Sequence, residues 1–348
     1  MNGLERCLSV LRSEGPDRIP VVPHLTNFAI WYSGHLRKDV IGDPQKLADC
    51  MVKLCEDFEL DGLEFVMDTA VSPEPLGAKV SYRDDEPAAV VGGAITSYDQ
   101  VADLPLIDPH RDGRIPICLE VIRLLRKRLG DRILILPSIG QAPFTMAAMV
   151  RGMEDFLLEL HTMRKDPSGI QRLIEHCEQC LERIALAYRD AGAHIVFCGD
   201  SLASFDVIAP KQYEQFAFPY EKQLAEYVKS LDLYFGVHIC GNNGPILPVL
   251  VETGADMLDV DYKTDLEVCR EAVGNRAVVR GTVDPSSVFQ LGDPELVDRK
   301  CRESIEILGQ TGRYFMDAGC QIMPGTPPEN VHAMVQSVHK YSPSANAG

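Results

Sequence analysis

Residues Leu233–Cys240 read LYFGVHIC, a short apolar run that closes on a histidine and a cysteine two positions apart. A strand covered by helices on both faces has this pattern, because neither side of it meets water. Seven further runs share it: Arg18–His24 (RIPVVPH), Gly62–Asp68 (GLEFVMD), Ile133–Ser138 (ILILPS), His194–Asp200 (HIVFCGD), Met257–Asp261 (MLDVD), Ala277–Val283 (AVVRGTV) and Arg313–Ala318 (RYFMDA). Between them lie helical patterns. Pro44–Leu60 carries Leu47, Met51, Leu54 and Phe58 at helical spacing. Pro116–Leu129, Pro167–Asp190, Pro210–Ser230, Pro294–Leu308 and Pro328–Tyr341 are similar, each opened by a proline suited to a first turn. A helix after almost every strand implies parallel pairing through crossovers. Eight such units predict an α/β fold, a (β/α)8 TIM barrel, for which roughly 250 residues are typical. The chain has 348. The surplus falls in an N-terminal lead-in, in a helical insert near residues 141–190, and in Lys79–Ser97, read as a β-hairpin insertion with a turn at Gly92-Gly93. A doubly wound open sheet is the alternative, weakened because no Gly-x-Gly-x-x-Gly follows the first strand. With no linker and no internal repeat, residues 1–348 are expected to form one barrel domain.

Composition narrows the function. Hydrophobic residues make up 45% and charged residues 24%, which excludes disordered and low-complexity classes. Thirty-four basic against 51 acidic side chains give a net charge of −17, so neither nucleic acid nor an anionic membrane is an expected partner. No stretch approaches ~20 uninterrupted apolar residues, and the N-terminal Met-Asn-Gly-Leu-Glu-Arg lacks the apolar core of a signal peptide. A cytoplasmic protein is expected. Its eleven cysteines are odd in number and too sparse for a disulfide scaffold, so most should be buried thiols.

A barrel builds its active site at the C-terminal ends of its strands. His238-Ile239-Cys240 is the sharpest signal there. Alternation places the imidazole and the thiol on one face, about 7 Å apart along the strand. Cys320 ends the eighth strand, where Gly319 permits a sharp turn. Two thiolates and a neutral imidazole form a soft donor set that favours zinc, and three protein ligands leave a fourth position open, the mark of a catalytic site. The plain structural alternative is a core histidine beside two inert cysteines. Asp200 and Asp261 end the flanking strands and are candidates to orient His238 or to fill the fourth position. Glu64 is a third candidate, although acids at strand ends often cap the next helix instead. Two other patterns carry less. Cys177 and Cys180 sit at i, i+3 within a helix, with no second pair. Asp108-Pro109-His110-Arg111-Asp112-Gly113 has the form of a corrinoid-binding loop, but it precedes a helix and leaves no room for the separate domain that motif needs.

With these residues in hand, the chain resembles the uroporphyrinogen decarboxylase superfamily over nearly its whole length. The supporting segments are Asp61–Gly77 (DGLEFVMDTAVSPEPLG), Gly140–Thr145 (GQAPFT), Asp200–Tyr220 with its Ala209-Pro210-Lys211-Gln212-Tyr213, and Gly281–Pro285 (GTVDP). The resemblance implies a (β/α)8 barrel. Decarboxylases of the family carry an N-terminal segment of the Met-Arg-Gln-Ala-Gly-Arg type, whose arginines grip porphyrinogen carboxylates; His24–Trp31 here has none. The other branch comprises zinc-dependent, corrinoid-linked methyltransferases with a His-x-Cys and a distant Cys, matched by His238, Cys240 and Cys320. The resemblance to this branch implies Zn²⁺ on those three residues and a methyl group moved between a small substrate and a cobalamin held by a partner corrinoid protein. The small substrate is a methyl ether, such as a methoxylated aromatic, or a thiol; Phe28, Trp31 and Tyr32 could stack on an aromatic donor or simply pack the barrel cap. A homodimer is left open. The competing readings are a metal-free decarboxylase anchored by Asp68 and a non-catalytic binding protein on the same barrel.

Overall fold

The computed structural model describes residues 1–162 and 167–343. Its main sheet has seven strands among the described residues, all parallel: β1 (Gly62–Phe65), β4 (Leu134–Gln141), β5 (Ile195–Gly199), β6 (Tyr234–Ile239), β7 (Met257–Val260), β8 (Val278–Val283) and β9 (Tyr314–Ala318), neighbours in that order. A small antiparallel pair, β2 (Lys79–Ser81) and β3 (Ala89–Gly92), stands apart. This is the TIM-barrel-like architecture expected, with one difference. The first expected strand, Arg18–His24, contributes a single parallel bridge, Val21 to Met316. It nevertheless closes the cylinder. Val22 N–H donates to Met316 O at 3.1 Å on the β9 side, and Val21 O accepts from Asp61 and Gly62 N–H on the β1 side. Pro20 and Pro23 have no N–H to give, which is why the eighth stave cannot make a full ladder.

Strand alternation sorts the interior into layers. Val22, Leu134, Leu136, Ile195, Phe197, Met257, Val278 and Phe315 form an apolar lower core, plugged from below by Leu4, Cys7, Val10 and Leu11 of the N-terminal helix Gly3–Leu11. Two residues further along the same strands the lining turns polar: Glu64, His238, Asp259, Arg280 and Asp317 are all buried. His238 is in register with Asp259, and Asp259 with Arg280. The larger hydrophobic core fills the space between the outside of the sheet and the surrounding helices.

The hairpin exists, but its connection is 82–88; Gly92 ends the second strand and Gly93 follows it. Gly93 is required for another reason. A Cβ there would lie 2.5 Å from the carbonyl carbon of Arg151, at the end of helix Pro143–Arg151. The expected helix Pro210–Ser230 is two, Pro210–Phe216 and Phe218–Ser230, because Pro219 cannot continue a helical ladder. The insert holds helices Pro143–Arg151, Met153–Thr162 and Pro167–Ala191, residues 163–166 lying outside the described set. Among the described residues, no helix is long and apolar enough to cross a membrane.

His194, just before β5, accepts a hydrogen bond at Nδ1 from Ile135 N–H at 2.9 Å. Burial first, and the Arg126 charge second, hold its pKa down to about 4. The unfolded chain protonates His194 below roughly pH 6.5 while the native chain refuses the proton until about pH 4, so this group costs stability as pH falls through that window. Glu178, raised by burial to about 8, acts in the opposite sense. The difference between wild type and His194→Asn therefore isolates the effect. In thermal melts, wild type is expected to lose ground against the variant steadily between pH 6.5 and 4.5.

Candidate metal centre

His238, next to last in β6, faces the barrel axis, and Cys240 lies just beyond the strand on the same side. His238 Nε2 lies 3.1 Å from Cys240 Sγ. Cys320, beyond the end of β9, completes the group: one donor atom from each of the three residues lies within 4.8 Å of the others. Its approach depends on Gly319, where a Cβ would meet Tyr262 N at 2.3 Å. The other imidazole nitrogen, Nδ1, is 3.1 Å from the carbonyl oxygen of Asp259. A carbonyl only accepts, so Nδ1 carries a proton and Nε2 is the nitrogen left to face the thiols or an ion. This carbonyl is the orienting partner that a metal-bound histidine needs.

The local electrostatics point the same way. Cys240 is pushed down to about 3, first by a hydrogen bond from Cys320, then, against burial, by His238. Burial alone would lower His238, but Cys240 and Asp259 outweigh it and raise it. Cys320 is raised, by its bond to Cys240 and by burial. The trio thus competes for protons that a divalent cation would displace. Donor type, spacing and tautomer all fit Zn²⁺, whose bonds to nitrogen and sulfur run roughly 2.0–2.3 Å.

Beneath this group lies a buried ionic cluster. Arg280 is fully buried and contacts Glu64 and Asp259 through Nη2, with Asp317 at 3.4 Å from Nε. Glu64, Asp259 and Asp317 lie close enough together to hold a cation of their own, but the Arg280 guanidinium already supplies it. Glu64 therefore serves the floor of the site: its Oε1 is 3.3 Å from His24 Nε2, and burial raises it to about 7 against the pull of Arg280.

The two aspartates expected to orient His238 are placed elsewhere. Asp200 lies one residue beyond Gly199 on the outward face of β5, where its carboxylate accepts from Thr145 N at 3.0 Å and interacts with Glu221. Burial raises both acids, Asp200 to about 6. Asp261 accepts from Gly241 N and Lys263 N, both at 2.9 Å, bracing the backbone next to Cys240. Asp259, a strand-end acid to which the sequence alone gives no orienting role, takes that position through its backbone carbonyl. Its signal was available in the register, which aligns it with His238.

Above the trio opens a cavity of about 200 Å³, bounded by His24, Asn27, Asp68, Gln141, Phe197 and Ser201 among others. Asp68 is held by Arg114 at 2.8 Å and Arg37 at 3.2 Å. Phe28, Trp31 and Tyr32 do not line it; Phe28 is buried and packs on Tyr32, Trp31 and Phe58, forming the cap. Cys177 and Cys180 are buried in the helix core, and Asp108 shapes a turn by accepting from His110 N at 3.0 Å.

Comparison with known proteins finds relatives of two kinds. The chain is 28% identical over 309 residues to the "Methylated-thiol--coenzyme M methyltransferase" of Methanosarcina mazei, covering 89% of this chain and 79% of the relative. It is 25% identical to the "Methylcobamide:CoM methyltransferase MtbA" of Methanosarcina acetivorans, over 97% of both chains. The "Uroporphyrinogen decarboxylase" of Syntrophotalea carbinolica is similar at 27%, over 86% and 85%. A solved structure titled "methyltransferase from Methanosarcina mazei" shares the fold, with a TM-score of 0.88 at 23% identity, over 98% of this chain and 99% of that one. The profile described as "Uroporphyrinogen decarboxylase (URO-D)" matches residues 2–341, so the chain belongs to the uroporphyrinogen decarboxylase family.

Proposed function

We propose that the protein is a zinc-dependent methyltransferase that moves a methyl group between a small substrate and a corrinoid carried by a partner protein. The observation that carries this reading is the convergence of His238 Nε2, Cys240 Sγ and Cys320 Sγ at the base of a cavity, with His238 Nδ1 tied to a carbonyl. When bound, zinc supplies Lewis acidity to the oxygen or sulfur from which the methyl group leaves or to which it goes. His238, Cys240 and Cys320 would hold it. Asp259 fixes the tautomer of His238, and Arg280 holds Asp259. Asp261 braces Gly241 and so the position of the Cys240 thiol. Phe197 presents an apolar wall that limits water at the base of the cavity. Glu64 and Asp200 act as supports under and behind the site.

The decarboxylase reading places its anchor at Asp68. That carboxylate is taken up by Arg114 and Arg37 and has little capacity left for a substrate. Two measurements test the choice together. Metal analysis is expected to find about one zinc per chain. Spectrophotometry with zinc-loaded protein and free cobalamin is expected to show methylation or demethylation with a methoxylated aromatic or a thiol. A metal-free preparation that decarboxylates uroporphyrinogen would refute the proposal.

A further inference from the structure

The cavity wall has a charge character that the motif does not reveal. No lysine or arginine lines it among the described residues. Its one lining carboxylate outside the metal centre, Asp68, is bound by two guanidinium groups, and these are spent on it: Arg37 also binds Asn27 and Met67 O, and Arg114 also binds Glu74. A neutral imidazole, two thiolates and a dication sum to zero, so beyond its open coordination position the proposed centre adds no net charge to attract an anion. Two polar atoms at the wall are nonetheless left over. Gln141 is 5% exposed, and its Oε1 has no hydrogen-bond partner. The Nδ1 of His24 is likewise buried without one. A buried polar group left unpaired costs free energy, so such groups usually have a partner that arrives. Phe197 supplies an apolar face beside them. The space, about 200 Å³, is below the roughly 300–1,000 Å³ of drug-sized pockets, while a cavity of roughly 150 Å³ already admits benzene.

We propose that the small methyl donor or acceptor is an uncharged molecule of at most one aromatic ring, whose polar group pairs with the amide of Gln141. This deepens the proposed function and rests on it. Gln141 becomes a specificity-determining residue. An anionic substituent that does not reach the ion would be stripped of water with no lysine or arginine to meet it, a cost larger than a polar site can recover. The inference separates this chain from the relatives named for coenzyme M, a thiol that carries a sulfonate.

The test compares matched ligands by titration calorimetry on the zinc-loaded full-length protein. The probes are 2-methoxyphenol, 2-methoxybenzoate and coenzyme M. The phenol is expected to bind at least ~30-fold more tightly than either anion. Gln141→Leu is expected to weaken the phenol ~10-fold while zinc content stays unchanged. Equal or tighter binding of an anion overturns the inference, as does failure of all three to bind. Should Gln141→Leu fail to fold, the wild-type comparison decides by itself. The two proposals fail separately. Methyl transfer from or to an anion would remove the charge preference and leave the activity standing. Selective binding of the phenol with no methylation of cobalamin would do the reverse.

Discussion

Cys240→Ala and Cys320→Ala are each expected to lower methyl transfer at least ~10³-fold and to release the zinc, while the fold survives. The expected activity loss follows from removing one of only three protein donors in a site with an open vertex. Survival of the fold follows from where the thiols sit. Both are half-buried at the top of the barrel, above an apolar layer from Leu134 to Phe315 and a buried ionic layer that do not use them. A zinc finger unfolds without its metal because the ion is most of its core; this barrel has cores inside and outside the sheet. Circular dichroism and metal analysis on the same preparations check both halves. A variant that keeps its turnover after losing zinc would end the proposed role of the metal.

Arg280→Met should have the opposite signature, a damaged fold. The guanidinium is fully buried between Glu64, Asp259 and Asp317, themselves buried, and its removal leaves three carboxylates without their cation. Breaking a buried ion pair by deleting one partner typically costs about 3–5 kcal/mol, and here one cation serves three anions. The midpoint of urea unfolding is expected to fall by an amount equivalent to at least that range at neutral pH. The loss should shrink as pH drops toward 5, because burial already raises Glu64 to about 7 and raises Asp317 as well, so protonation relieves the uncompensated charge. A variant as stable as wild type at pH 7.5 would show that the cluster contributes nothing net.

Much of this was legible in the sequence. Eight short apolar runs and the helices between them gave the barrel, and the strand-end rule pointed to His238, Cys240 and Cys320, which the structure brings together, because both depend on periodicity along one chain. What escaped depends on relations between strands. Asp200 looked like a strand-end ligand, yet counting from Ile195 and Phe197, which point inward, puts it on the outward face. Asp259 was visible, but its value lies in alignment with His238 on the neighbouring strand. Arg280 is an ordinary residue of an apolar run until three acids from three other strands converge on it. Gln141 stands out only once the cavity shows an amide oxygen with nothing to bond. The weak first strand could have been foreseen, since two prolines in seven residues cannot sustain a ladder.

That proline-limited stave has a mechanical consequence. A cylinder parts most easily along the seam with the fewest rungs, and here that seam runs between β9 and β1, through the single bridge at Val21. His24 emerges from the top of the same seam, and Ile322 N–H donates to its carbonyl beside Gln321. One rim of the pocket is therefore hung on the most compliant wall of an otherwise rigid drum. Two of the three proposed ligands, His238 and Cys240, stand on the stiff opposite side, where β5, β6 and β7 are paired residue by residue. Such a division lets the mouth yield to a bulky visitor without disturbing the spacing of His238 and Cys240.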